Sequence, residues 1–113
     1  MTDDKEPPRP VTIRPRATND IARYAEYLEE NASSSVALRF RAAVMKAVDQ
    51  IEAMPGAGAP RRTNNPRLAG LRMWIVPGFK NYLLFYLTPD GRADIVRLLH
   101  AARDVTTVLE TEE

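Results

Sequence analysis

Apolar residues change their spacing partway along this chain. From Ala17 to Met54 they recur every three or four positions, whereas from Leu71 to His100 they come in short dense runs. In the first regime Ile21, Tyr24, Ala25 and Leu28 fall at i, i+3, i+4 and i+7, which is one face of a helix. Glu26, Glu29 and Glu30 lie mostly away from that face. Thr18 is the expected N-cap, and Asp20 in the first turn would complement the helix dipole. "NASSS" interrupts the periodicity and supplies serines to cap a second helix. That helix is expected from Val36 to Met54, with Phe40, Val44, Ala47, Val48 and Ile51 as its apolar positions. Pro55-Gly56 ends it, because proline disfavours a helical residue before it and glycine frees the backbone after it. Two helices joined by so few residues form an antiparallel hairpin, and their shared apolar face must cover something.

The second regime supplies what is covered. "VTIRP" (11 to 15) predicts a short strand stopped by Pro15, and "GAGAPRRTNNPRLAG" predicts a loop rich in Gly, Pro and Asn. "LRMWIV" (71 to 76) and "YLLFYL" (82 to 87) are β-rich runs separated by "PGFKN". "TPDG" then marks a turn, with Gly91 placed for a left-handed conformation. "ADIVRLLH" is apolar at nearly every position, as a central strand covered at least partly on both faces would be. The order β-α-α-β-β-β describes an α+β fold, a helical hairpin on one face of a largely antiparallel sheet. The expected organisation is a flexible tail over 1–10, a single domain over 11–109, and an acidic, solvated tail over 110–113.

Composition narrows the class. A chain of 113 residues with 44% apolar and 27% charged residues suits one globular domain. No run approaches the roughly 18 apolar residues of a membrane span, and "MTDDKEPPRP" has no signal-peptide core. Cysteine is absent, which suits a reducing compartment, so a cytoplasmic protein without a membrane partner is expected. The net charge of +1 hides an uneven distribution. Between residues 53 and 103, Arg61, Arg62, Arg67, Arg72, Lys80, Arg92, Arg97 and Arg103 face only Asp90 and Asp94. Of the 16 basic residues 13 are Arg, whose planar fork suits carboxylates or phosphates. The partner expected from charge alone is an acidic protein or a nucleic acid.

Candidate chemistry centres on "IVRLLHAARD", where His100 stands near Arg97, Arg103 and Asp104. One His and no Cys give no metal-ligand spacing, and no cofactor is expected. "GAGAP" follows a helix and runs into Pro60, the reverse of a strand-to-helix phosphate loop. His100 and Asp104 suggest an acid–base pair, but serines occur only at 33 to 35, so a Ser-His-Asp hydrolase is not expected. The other reading has His100 ending a strand while Arg103 and Asp104 brace the turn. Metal-free RNA cleavage needs cations around the phosphate and a base for the ribose 2′-OH. Arg72, Lys80, Arg97, Arg103, Tyr82, Tyr86 and His100 could supply them. Equally, these arginines could meet the carboxylates of a protein partner, with Trp74, Phe79 and Tyr82 as core or interface aromatics.

From "ATNDIARYAEYL" through "IEAMPGAGAPR", "LAGLRMWIVPGFKNYLLFY" and "RLLHAARD", the chain resembles the ParE branch of the RelE/ParE toxins of type II toxin–antitoxin systems. The ordered series covers about residues 11 to 105, and "LLHAARD" is its most diagnostic piece. The resemblance implies the same fold and a toxin neutralised by direct binding of a ParD-like antitoxin. Nuclease members of the superfamily use basic residues on the middle strands, an arginine past the last strand and often a C-terminal tyrosine. Here Arg103 matches that arginine, but the other positions fall on Met73, Ile75, Leu83 and near Leu109. The resemblance therefore favours a ParE-type inhibitor of DNA gyrase that acts by binding, with no catalytic residue and no sequence-specific nucleic-acid binding of its own. The expected antitoxin-binding residues are Tyr24, Tyr27, Leu28, Arg72, Trp74 and Arg97. A toxicity surface is expected at Arg97, His100, Arg103 and Asp104. The alternatives are a ribosome-dependent mRNA endonuclease using Arg103, His100 and Tyr82, or a non-toxic member that only binds antitoxin.

Overall fold

Proline 15 starts the first helix instead of closing the first strand. In the computed structural model, which describes residues 11–113, strand β1 (Val11–Ile13) runs through Arg14 directly into helix α1 (Pro15–Asn31). The tail expected over 1–10 lies outside the described residues. Arg14, extended at φ −66° and ψ 152°, is the N-cap, and Pro15 takes the first helical position, where a missing N–H leaves no bond unmade. Thr18 is consequently inside the helix, and its N–H bonds to the Arg14 carbonyl. Asp20 lies beyond the first turn and is buried, so its partner is not the helix dipole. Helix α2 (Ser34–Ala53) begins two residues before the expected Val36 and is capped by a serine as expected, the Ser33 hydroxyl accepting from Val36 N at 3.1 Å. It ends before Pro55 as expected.

The remaining strands are β2 (Ala59–Pro60), β3 (Arg72–Val76), β4 (Phe79–Leu87) and β5 (Ala93–His100). A last helix, α3 (Val105–Glu110), follows. The sheet order is β1-β5-β4-β3-β2, with β1 parallel to β5 and every other neighbouring pair antiparallel. The α+β fold and its β-α-α-β-β-β order therefore hold, supplemented by the two-residue β2 and by α3. Strand β4 also begins three residues earlier than its apolar run, because Phe79 already pairs with Val76. Between β3 and β4, Gly78 adopts φ 79°, and Gly91 takes the left-handed conformation expected of it at φ 77°.

The hairpin lies on one face of the sheet, α1 over β5 and α2 over β3. Phe40, Val44, Ala47, Val48 and Ile51 bury there against Val76, Leu84, Tyr86, Ile95 and Leu98. The opposite face has a core of its own, in which Leu68, Leu71, Phe85, Val96 and Leu99 are closed over by Leu109 of α3. Strand β5 is covered on both faces, as its apolar run predicts.

Within the C-terminal stretch 110–113 three residues are exposed, but Glu112 is tied into the domain. Glu112 is 3% exposed, and Asn65 Nδ2 donates to the carbonyls of Leu109 (2.9 Å) and Glu112 (2.6 Å). A polar side chain from the long loop thus satisfies the carbonyls that a short final helix would leave without partners. Tyr86 secures the start of that loop. Its hydroxyl donates to Pro55 O at 2.8 Å and accepts from Gly58 N at 2.9 Å.

Candidate functional site

Strand β1 covers β5 only as far as Ile95, which leaves the edge of β5 from Arg97 onward without a strand partner. An open edge carries unpaired N–H groups, and helix α1 satisfies them with side chains. Asp20 Oδ2 accepts from Leu98 N at 3.1 Å, and one helical turn later the Tyr24 hydroxyl accepts from His100 N at 3.1 Å. The two-residue step along the strand matches the four-residue step along the helix. This match docks α1 on the end of the sheet.

Arg97 closes the arrangement from the side. Its Nε and Nη2 donate to the two oxygens of Asp20 at 2.7 and 2.9 Å, and its Nη1 donates to Glu112 Oε1 at 2.9 Å. The Asp20 hydrogen bonds, against the cost of burial and with help from Glu112, hold the Arg97 guanidinium further into its charged form than usual. Arg97 is thereby withdrawn from both surfaces expected of it. It is 7% exposed, and its donors face inward onto the oxygens of Asp20 and Glu112, which its planar fork matches.

Beyond this triad opens a cavity of about 370 Å³. Its α1 wall is the stripe Asp20, Arg23, Tyr24 and Tyr27, spaced i, i+3, i+4 and i+7. The sheet contributes Tyr82 and His100, which are direct cross-strand partners, and Arg103 reaches in from the turn before α3. Tyr82 is held rigid by edge-on aromatic contacts with Tyr24, Phe40 and His100 at centroid distances of 5.2, 4.9 and 4.8 Å. Burial first, then the neighbouring Tyr24 and Tyr27, pushes the Tyr82 phenol upward, so it stays protonated and able to donate. His100 Nδ1 accepts from Ala102 N at 3.0 Å, so the neutral ring carries its proton on Nε2.

The structure therefore unites Tyr24, Tyr27, Tyr82, His100 and Arg103, which the sequence divides between antitoxin binding, toxicity and a nuclease. It separates the others. Asp104 does not pair with His100. It caps α3 by accepting from Thr107 N (3.2 Å) and Oγ1 (2.7 Å), and these bonds hold its carboxyl below the usual range. Leu28 packs against the hairpin core. Trp74 is half-buried beneath α2, its indole N–H donating to Gln50 Oε1 at 3.0 Å, so its side chain is not an exposed edge group. Arg72 Nη1 donates to the Gly58 carbonyl at 2.7 Å and braces the loop after α2. Only Tyr27, 56% exposed, is an open apolar contact among the residues expected to take an antitoxin.

The positions at which nuclease relatives would carry their reactive groups also have a clear fate. Leu109 is buried in the core of the far sheet face, and Met73 and Leu83 are partly buried against that core. Ile75, cross-strand from Leu83, is exposed. Among the described residues, no group of three His, Asp or Glu side chains is placed to share a metal ion. The buried roles of Asp20 and Glu112 are legible in the sequence only as oddities, a carboxylate one turn before Tyr24 on the apolar stripe and an acid after the final apolar run. Arg23 had no signal beyond its position between them.

The architecture is a single α+β domain with a basic, aromatic-lined cavity at an edge of its sheet that brings Tyr82, His100 and Arg103 together. A model of one family, described as the ParE toxin of the type II toxin–antitoxin system parDE, matches residues 11–105. The chain belongs to this family of ParE toxins, and so is the toxin member of a system that pairs a toxin with an antitoxin. Among curated proteins, no individual sequence matches the chain. Among the described residues, no helix is long and apolar enough to cross a membrane.

Proposed function

We propose that the protein is a cytoplasmic, non-catalytic toxin that binds and inhibits DNA gyrase and is neutralised by a ParD-like antitoxin. The observation that carries the non-catalytic reading is that Met73 and Leu83, where the resemblance would place a nuclease's cations, are apolar and pack against the core closed by Leu109. Arg103 alone keeps the nuclease pattern by position, but Tyr82 and His100 share its cavity, which keeps the endonuclease as the second reading.

The antitoxin surface is better sought on α2 than at the residues buried above. Leu38 (68% exposed) and Met45 (48%) stand seven residues apart on one outward face, a seat for one side of an amphipathic helix. Past Met73 the outer edge of β3 has no partner from β2, and Ile75 on it is 52% exposed, which suits an extended segment added as a strand. The toxicity surface is the exposed turn around His100 and Arg103, with Asp104 shaping that turn as the cap of α3.

Expression without antitoxin tests the reading, with gyrase supercoiling and the integrity of translated mRNA followed together. Inhibited supercoiling with intact mRNA is the expected result. Discrete cleavage of translated mRNA by the purified chain would establish the endonuclease instead, and normal growth with both intact would leave only an antitoxin binder. For the antitoxin surface, Leu38→Glu and Met45→Glu should each weaken antitoxin binding at least about tenfold, the loss of one interface anchor. Unchanged affinity for both variants would move the interface elsewhere.

A further inference from the structure

We propose that the cavity between α1 and the ends of β4 and β5 binds a nucleoside monophosphate, with the phosphate held by Arg23 and Arg103 and the base stacked on Tyr27.

Charge provides the first argument. Arg23 and Arg103 line both this cavity and an adjoining, strongly polar one of about 250 Å³ whose wall also includes Arg16, Asp20 and Arg97. Asp20 is the carboxylate that lines these two cavities, and Glu112 lies behind it; Glu26 and Glu29 border Arg23 in a neighbouring groove, and Asp104 follows Arg103 but caps α3. Asp20 is bound by Arg97, and Glu112 is shared between Arg97 and Arg16. Neither Arg23 nor Arg103 has a salt bridge among the described residues. Arg97 and Arg16 thus take up Asp20 and Glu112, while Arg23 and Arg103 line the cavity without an ion-pair partner among the described residues. Arginine forks in that state are preorganised for the oxygens of a phosphate monoester.

Shape and polarity provide the second. A volume of about 370 Å³ falls within the range of small-ligand clefts. The walls are ring faces and edges, with Tyr82 and His100 fixed edge-to-face at 87° and Tyr27 leaving most of its ring to solvent. A planar base can stack on Tyr27 in a sequence-tolerant way. The protonated Tyr82 phenol and the His100 Nε2–H are donors for ribose or phosphate oxygens. A bare anion would use the arginines and leave the aromatic wall idle, and an uncharged aromatic would do the reverse. A nucleotide uses both. No bond is made or broken in this proposal, and it stands apart from the gyrase and antitoxin readings.

The test is calorimetric titration of the full chain with adenosine monophosphate, adenosine and inorganic phosphate, at low salt and at about 0.15 M salt. Adenosine monophosphate should bind at least about tenfold more tightly than either fragment. Arg23→Ala and Arg103→Ala should each weaken it about tenfold, the loss of one hydrogen-bonded charge contact. Tyr27→Ala should weaken it at least about fivefold. All three side chains are exposed, so thermal melting should be unchanged, and Arg39→Ala on the outer face of α2 serves as the control. Amide shifts on binding should concentrate at Tyr24, Tyr27, Tyr82, His100 and Arg103. Phosphate binding as tightly as the nucleotide would reduce the site to a general anion patch and overturn the proposal. So would indifference to all three substitutions. Tighter binding of a short single-stranded oligoribonucleotide, with the same dependence on Arg23 and Arg103, would overturn it in favour of a strand.

Discussion

Replacing Asp20 by alanine should be one of the most damaging single changes in this protein. The substitution removes the acceptors of Arg97 Nε and Nη2 and the acceptor of the Leu98 amide in one step. The Arg97 and Asp20 side chains are 9% and 7% exposed, so water cannot replace what is lost. Removing one partner of a buried ion pair costs about 3–5 kcal/mol, because the remaining charge stays buried and under-compensated. Glu112 still holds Nη1 of Arg97 and moderates the loss, while the orphaned amide adds about 1–3 kcal/mol that is not independent of the first term. A loss of about 4 kcal/mol is expected, a large fraction of the 5–15 kcal/mol typical of a domain this size. The melting temperature should fall by about 10–20 °C. Urea unfolding monitored through the single Trp74 gives the free energy directly. Asp94→Ala is the comparison. Its partner Arg14 is also held by a fork, but the pair is 28% and 21% exposed, so a loss of about 1 kcal/mol is expected there. Asp20→Asn keeps an oxygen for the Leu98 amide and should fall between the two. A loss below about 1.5 kcal/mol for Asp20→Ala, or one no greater than for Asp94→Ala, would refute the claim that the triad holds α1 to the sheet.

Three further outcomes follow from specific contacts. Gly58→Ala would drive a Cβ into the Tyr86 hydroxyl and within 2.8–2.9 Å of its ring carbons, so a destabilisation of about 1–3 kcal/mol is expected in the same unfolding assay. Asp104 has a folded pKa below its unfolded value, so its cap on α3 is present above the unfolded value and is lost as pH falls through the folded one. Carboxyl NMR should place its midpoint below the usual value of about 3.9, and Thr107→Val should move it up; an ordinary midpoint in the wild-type chain would remove the cap. Tyr82 and Tyr86 are both raised above the ordinary tyrosine value, by burial first, so stability should be full below pH about 10 and decline as pH rises toward their folded values. Ultraviolet titration of the wild-type chain against Tyr82→Phe and Tyr86→Phe should assign late ionisation to both residues, and loss of an ordinary step in either variant would contradict its burial.

The sheet is covered on both faces. The hairpin packs on one, and on the other Leu109 of α3 closes over a second core. The exposed chemistry is thereby displaced to the β5 edge, where α1, the β5 end and the turn before α3 converge.

Local pattern determined much of this protein. The 3.6-residue period fixed both helices of the hairpin, the serines fixed the start of α2, Pro55 fixed its end, and the unbroken apolar run of β5 marked it as a strand buried on both faces. Each of these follows from interactions within a few residues, so each is legible from a window of sequence. Thr18 failed as a cap for a similarly local reason, since the proline at 15 offers a better first helical position than a threonine three residues later. The ordered "GLR…FKNYLLFY…RLLHAARD" series also carried the family. Only the tertiary structure decided what the charges do. Asp20 and Arg97 are 77 positions apart, and Glu112 lies 15 beyond Arg97, yet they form one buried cluster. No local pattern announces a partner at that distance, so Arg97 looks like a surface arginine until β1 is seen to cover the edge of β5 only as far as Ile95. The same long-range closure joined Tyr24, Tyr27, Tyr82, His100 and Arg103 into one cavity, because helix docking, rather than sequence proximity, sets which side chains share a space.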